Sequence, residues 1–119
     1  MRIGMKRPDV FANLCVMSAS GDAAALDIDK SASNLNAYYA IAIDIGLADA
    51  ALESSRQLHA AMTRARVPHA YEEYDGDHTN RLRERIEWNV MPFFARNLAA
   101  PANLTSPSAA ADRLSTTGR

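Results

Sequence analysis

The sequence is poor in several features that mark particular classes of protein. It has one cysteine, Cys15, among 119 residues, so no internal disulfide can form, and its apolar neighbours predict a buried, unreactive thiol. No uninterrupted apolar run approaches the roughly 20 residues that cross a bilayer, and the first residues lack a signal-peptide pattern. The formal net charge of -1 gives no electrostatic reason to bind nucleic acid or an anionic membrane. We expect a soluble, cytoplasmic protein with neither nucleic acid nor membrane among its partners.

Glycine is scarce as well, with five residues in the chain, and its positions argue against two kinds of site. No glycine-rich loop follows a predicted strand, which disfavours a small phosphate-binding domain. No Gly-x-Ser-x-Gly is present either, although this pattern makes the sharp turn that exposes a nucleophilic serine. Ser18 and Ser20 stand at a predicted strand end, but glycine flanks them only on the far side, at Gly21. Neither serine is therefore expected to act as a nucleophile.

The spacing of the apolar residues switches between strand and helix patterns along the chain. Short apolar runs predict strands at residues 12–17, 39–45 and 70–74, and the glutamates of the last run place it nearer the sheet edge. Helical spacing predicts helices over residues 50–66 and 79–98. This alternation predicts an α/β fold with about three parallel strands and flanking helices.

Both helices have a predicted core-facing side. In the first helix it consists of Leu58, Ala61, Met62 and Ala65. In the second helix, which Pro92 should kink, it consists of Leu82, Ile86, Val90, Phe93 and Phe94.

The remaining segments are predicted to be less regular. Residues 1–6 indicate the end of a helix that stops before Pro8. Apolar residues in the segment 18–37 show no clear periodic spacing, which favours a loop or a partial cap over a functional site. Residues 99–119 are rich in Pro, Ser, Thr and Ala, which predicts a disordered tail after a domain that spans residues 1–98.

Polar side chains follow two of the predicted strands. His78 lies in residues 73–80 (EYDGDHTN), where a strand gives way to a helix, and Asp49 follows residues 39–45 after a turn at Gly46. Open α/β sheets keep their chemistry at the carboxyl ends of the strands. An imidazole can take and return a proton near neutral pH, and a carboxylate can hold it in one tautomer. His78 is therefore a candidate catalytic base and Asp49 a candidate orienting acid. From position alone, a histidine after a strand is more often a surface or helix-capping residue, and the choice between these interpretations depends on the family resemblance described below.

Asp44 competes with Asp49 for the role of the acid. It lies inside the apolar run, so it is more typical of a structural carboxylate that accepts hydrogen bonds from loop amides. Asp49 is the preferred candidate because the turn at Gly46 can aim its carboxylate at the histidine loop.

Other ionisable residues are better explained by structural roles. Asp75, Asp77 and His78 resemble a metal cluster only weakly, and we expect neither a metal nor another cofactor. Asp77 is expected to cap the following helix, and His59 and His69 to be structural or solvated. A charge-balanced outer helix face is predicted for Arg81, Arg83, Glu84, Arg85 and Glu87.

Four segments resemble the C-terminal part of the α/β-hydrolase esterases, a group similar to S-formylglutathione hydrolase, enterochelin esterase and the mycolyltransferases. They are residues 1–12, 44–49, 72–79 and 90–94. The resemblance runs from residue 1 to about residue 98, fades over residues 21–36, and is most specific at the Gly-Asp-His-Thr of residues 76–79. In such esterases the chain order of the triad is serine, acid, histidine, and Asp49 precedes His78 in the same way.

The resemblance implies a serine esterase fragment that keeps the triad acid and histidine but lacks the nucleophilic serine. Residue 1 would then lie shortly downstream of that serine, and the full-length form would act on a small-molecule ester. This chain alone should be inactive, and its open sheet edge should make it a homo-oligomer or an aggregate. The alternative is a non-catalytic remnant or a self-associating structural fragment.

Overall fold

A three-stranded parallel sheet forms the centre of the fold. The computed structural model of the chain describes residues 3–18 and 26–98. The strands are β1 (Asn13–Met17), β2 (Ala40–Gly46) and β3 (Ala70–Tyr74), and they lie in the order β1-β2-β3. Each strand pairs in parallel with its successor. The predicted α/β class with about three parallel strands is confirmed.

Helices connect the strands and follow the last one. Their bounds are Gly4–Lys6 for a 3₁₀ turn, Ile28–Leu35 for α1, Leu52–Arg64 for α2, Leu82–Arg85 for α3, Ile86–Val90 for a π-helical segment and Met91–Leu98 for α4. Within the described residues, no helix combines the length and the hydropathy needed to cross a membrane.

The main hydrophobic core lies between one face of the sheet and the helices α1 and α2. Ile41 and Ile43 of β2 are buried there against Leu35 of α1 and against Leu58 and Met62 of α2. Side chains of a strand point alternately to its two faces. Ala42 and Asp44, which alternate with these isoleucines, therefore face the C-terminal helical run. The predicted core-facing side of the helix over residues 50–66 is confirmed.

The prediction of a loop or partial cap over residues 18–37 is wrong where helix α1 forms. Ile28 and Leu35, one at each end of α1, are buried in the core. The backbone N–H of Lys30 donates to the Asp27 side chain, which satisfies an otherwise free amide of the first turn. A short helix anchored by apolar residues at its two ends gives no clear period in the sequence. Residues 19–25 and the predicted tail at 99–119 lie outside the described residues.

The C-terminal helical run departs from prediction in its start and in its buried side. It begins at Leu82 rather than near residue 79, and Leu82 and Ile86 are exposed. The i→i+5 hydrogen bonds of a π-helix wind the chain less per residue than those of an α-helix. Passing through the segment Ile86–Val90 therefore shifts the phase, so that Arg85 instead of Ile86 lies on the same side as the buried Phe93.

Arg85 therefore does not belong to the outer helix face on which it was predicted. Only 4% of it is exposed. The π-helical segment ends directly before α4, in which Pro92 is the second residue. The Met91 N–H donates to the Ile86 carbonyl, so the helical run continues into α4 and Pro92 lies inside it. The proline removes one backbone hydrogen bond and its ring crowds the preceding turn, which is where the π-helical segment lies.

Candidate catalytic site

The loops after β2 and β3 are tied together at the carboxyl edge of the sheet. Leu47 N–H donates to the Tyr74 carbonyl and Ala48 N–H donates to the Gly76 carbonyl, both at 2.9 Å. A side chain at Gly46 would collide with the backbone of Gly76. Glycine at position 46 thus allows the two loops to approach closely, which is the arrangement that can bring a side chain from each loop into contact.

The contact joins the two residues that the sequence analysis selected. His78 Nδ1 lies 3.0 Å from Asp49 Oδ2. The Asp49 side chain is only 1% exposed, whereas the His78 side chain is 58% exposed. An ionised carboxylate can only accept, so His78 donates from Nδ1 and its Nε2 is the nitrogen left to take a proton. A buried carboxylate thus holds a solvent-accessible imidazole through one hydrogen bond.

Hydrogen bonds keep Asp49 ionised in spite of its burial. Burial alone would raise the pKa of this carboxyl group, but donors from the backbone of Ala51 and from the side chains of His78 and Ser18 outweigh it, so the pKa is lowered. The Ala51 N–H donates to Asp49 Oδ1 at 2.8 Å. The carboxylate therefore remains an anion next to the imidazole.

The turn that carries His78 is held by its own polar groups. Asp77 Oδ1 accepts from the N–H groups of Thr79 at 2.9 Å and Asn80 at 2.7 Å. In return, the Asp77 N–H donates to Asn80 Oδ1 at 2.8 Å, and the Tyr74 hydroxyl donates to the Asp77 carbonyl at 2.7 Å. Asp77 thus satisfies amides as predicted, but it does so in a turn that precedes the helix instead of at the helix start.

Asp44 has a different partner from the one predicted for it. Its carboxylate accepts from Arg85 Nε at 3.1 Å and from Arg85 Nη2 at 2.5 Å, and both residues are buried. The expected hydrogen bonds from loop amides are replaced by this ion pair. A buried carboxylate is costly unless it is paired or hydrogen-bonded, and the phase shift of the π-helical segment supplies a paired charge by turning Arg85 inward.

Ser18 is buried beside this pair. Its Oγ accepts from Arg85 Nη1 at 3.3 Å, and its N–H donates to the Asp44 carbonyl at 2.9 Å. Sequence reasoning missed both Arg85 and Ser18 as neighbours of the site. The only sequence signal for Arg85 is its spacing from Phe93, and that spacing becomes informative only once the π-helical segment is known. Ser20 lies outside the described residues.

The other ionisable candidates do not join the site. His59 Nδ1 lies 2.8 Å from His69 Nε2, and the His59 ring stacks on Tyr71 at a centroid distance of 4.3 Å. Burial raises the pKa of the Cys15 thiol to about 11. In the part of the chain that the structure describes, no group of three or more His, Cys, Asp or Glu side chains could hold a metal ion.

The fold of the chain is similar to that of a known protein structure. No protein-family model matches the chain, and no curated protein matches it. Among solved structures, it is similar to a ferulic acid esterase, with 20% sequence identity and a TM-score of 0.64. The match covers 80% of this chain and 46% of the other, so the chain spans less than half the length of that structure. At this level of identity the likeness is one of fold.

Proposed function

We propose that this chain carries the acid and the base of a serine-type carboxylic ester hydrolase. In this proposal His78 is the general base and Asp49 is the residue that orients it. The observation that carries the proposal is the 3.0 Å hydrogen bond between a buried carboxylate and an exposed imidazole at the ends of neighbouring parallel strands. The name of the structural neighbour, a ferulic acid esterase, agrees with small-molecule esters as the substrate class.

In the proposed reaction His78 Nε2 takes the proton of a serine hydroxyl while the serine oxygen attacks the ester carbonyl carbon. The leaving alcohol then receives that proton from the imidazolium, and an acyl-enzyme remains. Water attacks the acyl group with the same base, which releases the acid and restores the serine. Asp49 stabilises the imidazolium throughout and does not itself take up the proton.

The nucleophile of this reaction is not apparent among the 119 residues, which contain no Gly-x-Ser-x-Gly. Ser18 is buried, and its oxygen accepts a hydrogen bond from Arg85, which leaves it poorly placed to attack a substrate. We therefore propose that polypeptide beyond these residues contributes the serine and the oxyanion-hole amides. The chain by itself is then the acid-base part of the enzyme and should form no acyl-enzyme.

The test compares the chain alone with a longer form that includes an upstream Gly-x-Ser-x-Gly segment. The longer form should hydrolyse a p-nitrophenyl ester, and His78→Ala should remove nearly all of the acylation rate. Asp49→Asn should lower the rate by about 10⁴-fold through a misoriented imidazole. Asp44→Asn should act on stability rather than on the chemistry. If Asp44→Asn abolishes activity at unchanged stability while Asp49→Asn stays active, the acid has been assigned wrongly.

The chain alone provides the matching negative result. It should show no turnover above its His78→Ala variant, and a fluorophosphonate should not label it. Stoichiometric labelling of Ser18 or Ser20, with loss of activity when that serine is replaced, would contradict the proposal.

A second candidate function is self-association without catalysis. It is favoured by the outer edge of β1, which pairs with no strand within residues 3–18 and 26–98. Unpaired strand edges recruit other chains. The two candidates differ in the longer form, because a merely structural fragment gains no His78-dependent hydrolysis there.

A further inference from the structure

Two kinds of hydrogen bond hold the turn that carries His78. The first kind runs within the turn, between Asp77 and the two residues that follow His78. These bonds fix the shape of the turn but not its place on the sheet. The second kind connects the turn to the strand below it, because the hydroxyl of Tyr74, the last residue of β3, donates to the Asp77 carbonyl at 2.7 Å.

Tyr74 binds the peptide group that directly precedes His78. A peptide group is planar, so a hydrogen bond to the Asp77 carbonyl also orients the backbone nitrogen and Cα of His78. The backbone carbonyl of Tyr74 accepts from the N–H of Leu47 at 2.9 Å, in the loop that leads to Asp49. Tyr74 therefore connects the loop of the acid with the turn of the base.

The ring of Tyr74 is itself fixed in place. Only 9% of the residue is exposed. The guanidinium of Arg85, which is paired with Asp44, lies over the ring at 4.1 Å from its centroid, where a cation is attracted to the ring electrons. A Cβ at Gly76 would lie 2.5 Å from the ring carbon Cε2, so glycine at this position lets the turn pack directly against the ring.

His78 depends on this support because most of its side chain is exposed. An exposed ring has few packing contacts to direct it, so its direction follows the backbone that carries it. The distance from His78 Nδ1 to Asp49 Oδ2 is 3.0 Å, within the roughly 2.7–3.2 Å that N–H···O hydrogen bonds allow. A displacement of the turn by about 0.5 Å would take this distance out of that range.

We propose that Tyr74 is a positioning residue, whose hydroxyl anchors the peptide group between Asp77 and His78 and so keeps His78 Nδ1 within hydrogen-bond distance of Asp49. This inference rests on the proposed function for its catalytic meaning, but it makes a separate claim about the imidazole that can be measured without activity.

The experiment follows the ring nitrogens of His78 by NMR in the ¹⁵N-histidine-labelled chain, at a pH at which the imidazole is neutral and with the resonances assigned by His78→Ala. In the unchanged chain His78 should be the Nδ1–H tautomer, because Asp49 can only accept. Tyr74→Phe keeps the ring but removes the hydroxyl. The hydrogen bond to Asp49 should then form in a smaller share of the molecules, so the Nδ1 resonance should shift toward that of an unprotonated nitrogen and the Nε2 resonance in the opposite direction.

Tyr71→Phe is the matched control, because it makes the same change in the same strand. The Tyr71 hydroxyl donates to Glu73 Oε1 at 3.0 Å, and residues 71 and 74 point to opposite faces of β3. This variant should leave the His78 resonances unchanged. Asp49→Asn removes the charged acceptor itself and should give the largest shift.

Gly76→Ala perturbs the same support in a second way. It keeps the Tyr74 hydroxyl, but its Cβ cannot fit beside the ring, so the turn and the ring must move apart. We expect the His78 resonances to shift in the same direction as in Tyr74→Phe. Thermal melts of all variants record the loss of stability separately.

Each outcome decides between the claims. If Asp49→Asn shifts the His78 resonances but Tyr74→Phe does not, even with a lowered melting temperature, the positioning role is refuted and the proposed function stands. A shift in Gly76→Ala alone would assign the effect to the shape of the turn, which also refutes the role of the hydroxyl. An equal shift in Tyr71→Phe would assign it to a general loosening of β3, with the same consequence. If Asp49→Asn itself leaves His78 unchanged, the acid-base pair is wrong and the proposed function fails with it.

Discussion

The buried ion pair between Asp44 and Arg85 makes the sharpest prediction about stability. Its side chains are 8% and 4% exposed and its shortest contact is 2.5 Å. Replacing Asp44 by Leu leaves a guanidinium in the interior without its counter-charge, and replacing Arg85 by Met leaves a carboxylate there. Either change should destabilise the fold far more than the loss of an exposed pair would.

The magnitude follows from the burial of both partners. Removing one member of a buried pair costs roughly 3–5 kcal/mol in free energy of unfolding, which is a large share of the roughly 5–15 kcal/mol typical of a domain. With a urea dependence of roughly 2 kcal/mol per molar, each single variant should lower the unfolding midpoint by about 2 M. The double variant Asp44→Leu with Arg85→Met buries no charge at this position, so its cost should be well below the sum of the single costs.

The assay is urea unfolding followed by circular dichroism, with all four members of the cycle at the same protein concentration. Asp9→Asn is the matched control. It breaks the Arg7–Asp9 pair, whose contact of 2.6 Å is nearly as short but whose side chains are 53% and 62% exposed. The control should leave the midpoint essentially unchanged, because exposed pairs contribute little.

Two results would refute this reasoning. One is a cost below about 1 kcal/mol for either single variant, which is the range of exposed pairs. The other is a double variant whose cost equals the sum of the single costs, since that would show no coupling between the two side chains.

Three further predictions concern acid stability, thiol reactivity and assembly. Hydrogen bonds from Arg56 hold the pKa of Glu73 at about 2, below its ordinary 4.5. The contribution of ionised Glu73 to folding stability is therefore fully present above pH 4.5 and is lost as the pH falls toward 2. The free energy of unfolding should therefore change less with pH over that range in Glu73→Gln than in the unchanged chain. Because burial raises the pKa of Cys15 to about 11, a disulfide reagent at mildly alkaline pH should react slowly with the folded chain and fast in urea. At micromolar concentration, light scattering should detect a dimer or larger species that pairs through β1. Cys15→Pro, which removes an edge amide, should weaken this association. A clean monomer with a cooperative melt would contradict the prediction.

The sheet and one helix could be predicted from the sequence, because each of them has a residue pattern that is local in the chain. The strand over residues 70–74 was predicted to the residue, and the helix around Leu58 and Met62 shows its core face in its spacing. The pairing of Asp49 with His78 could be anticipated for a related reason. Each follows a strand, and consecutive parallel strands that lie side by side put the loops at their carboxyl ends next to each other.

Other features could not be predicted, because they depend on contacts between distant residues or on an irregular backbone. Helix α1 is held by Ile28 and Leu35, whose burial depends on the 3₁₀ turn and α2 packing against them. The inward turn of Arg85 depends on the π-helical segment Ile86–Val90. Helix propensity does not reveal such a segment, because it does not distinguish a π-helical turn from an α-helical one. A charged residue on a regular helix is usually solvated, so the pattern favoured the wrong face.

Under the proposed function, the two halves of a serine-hydrolase site place different demands on the fold, and the geometry of this chain suits one of them. The acid-base half needs only two adjacent loops, and here the Ala48 N–H donating to the Gly76 carbonyl ties those loops together. The nucleophile half needs another strand with its own sharp turn. Among the described residues, the position on the far side of β1 from β2 is open, and Ser18 at the end of β1 is already engaged by Arg85. A strand added at that edge would bring a serine to the same end of the sheet as His78, without displacing the hydrogen bonds that orient its base.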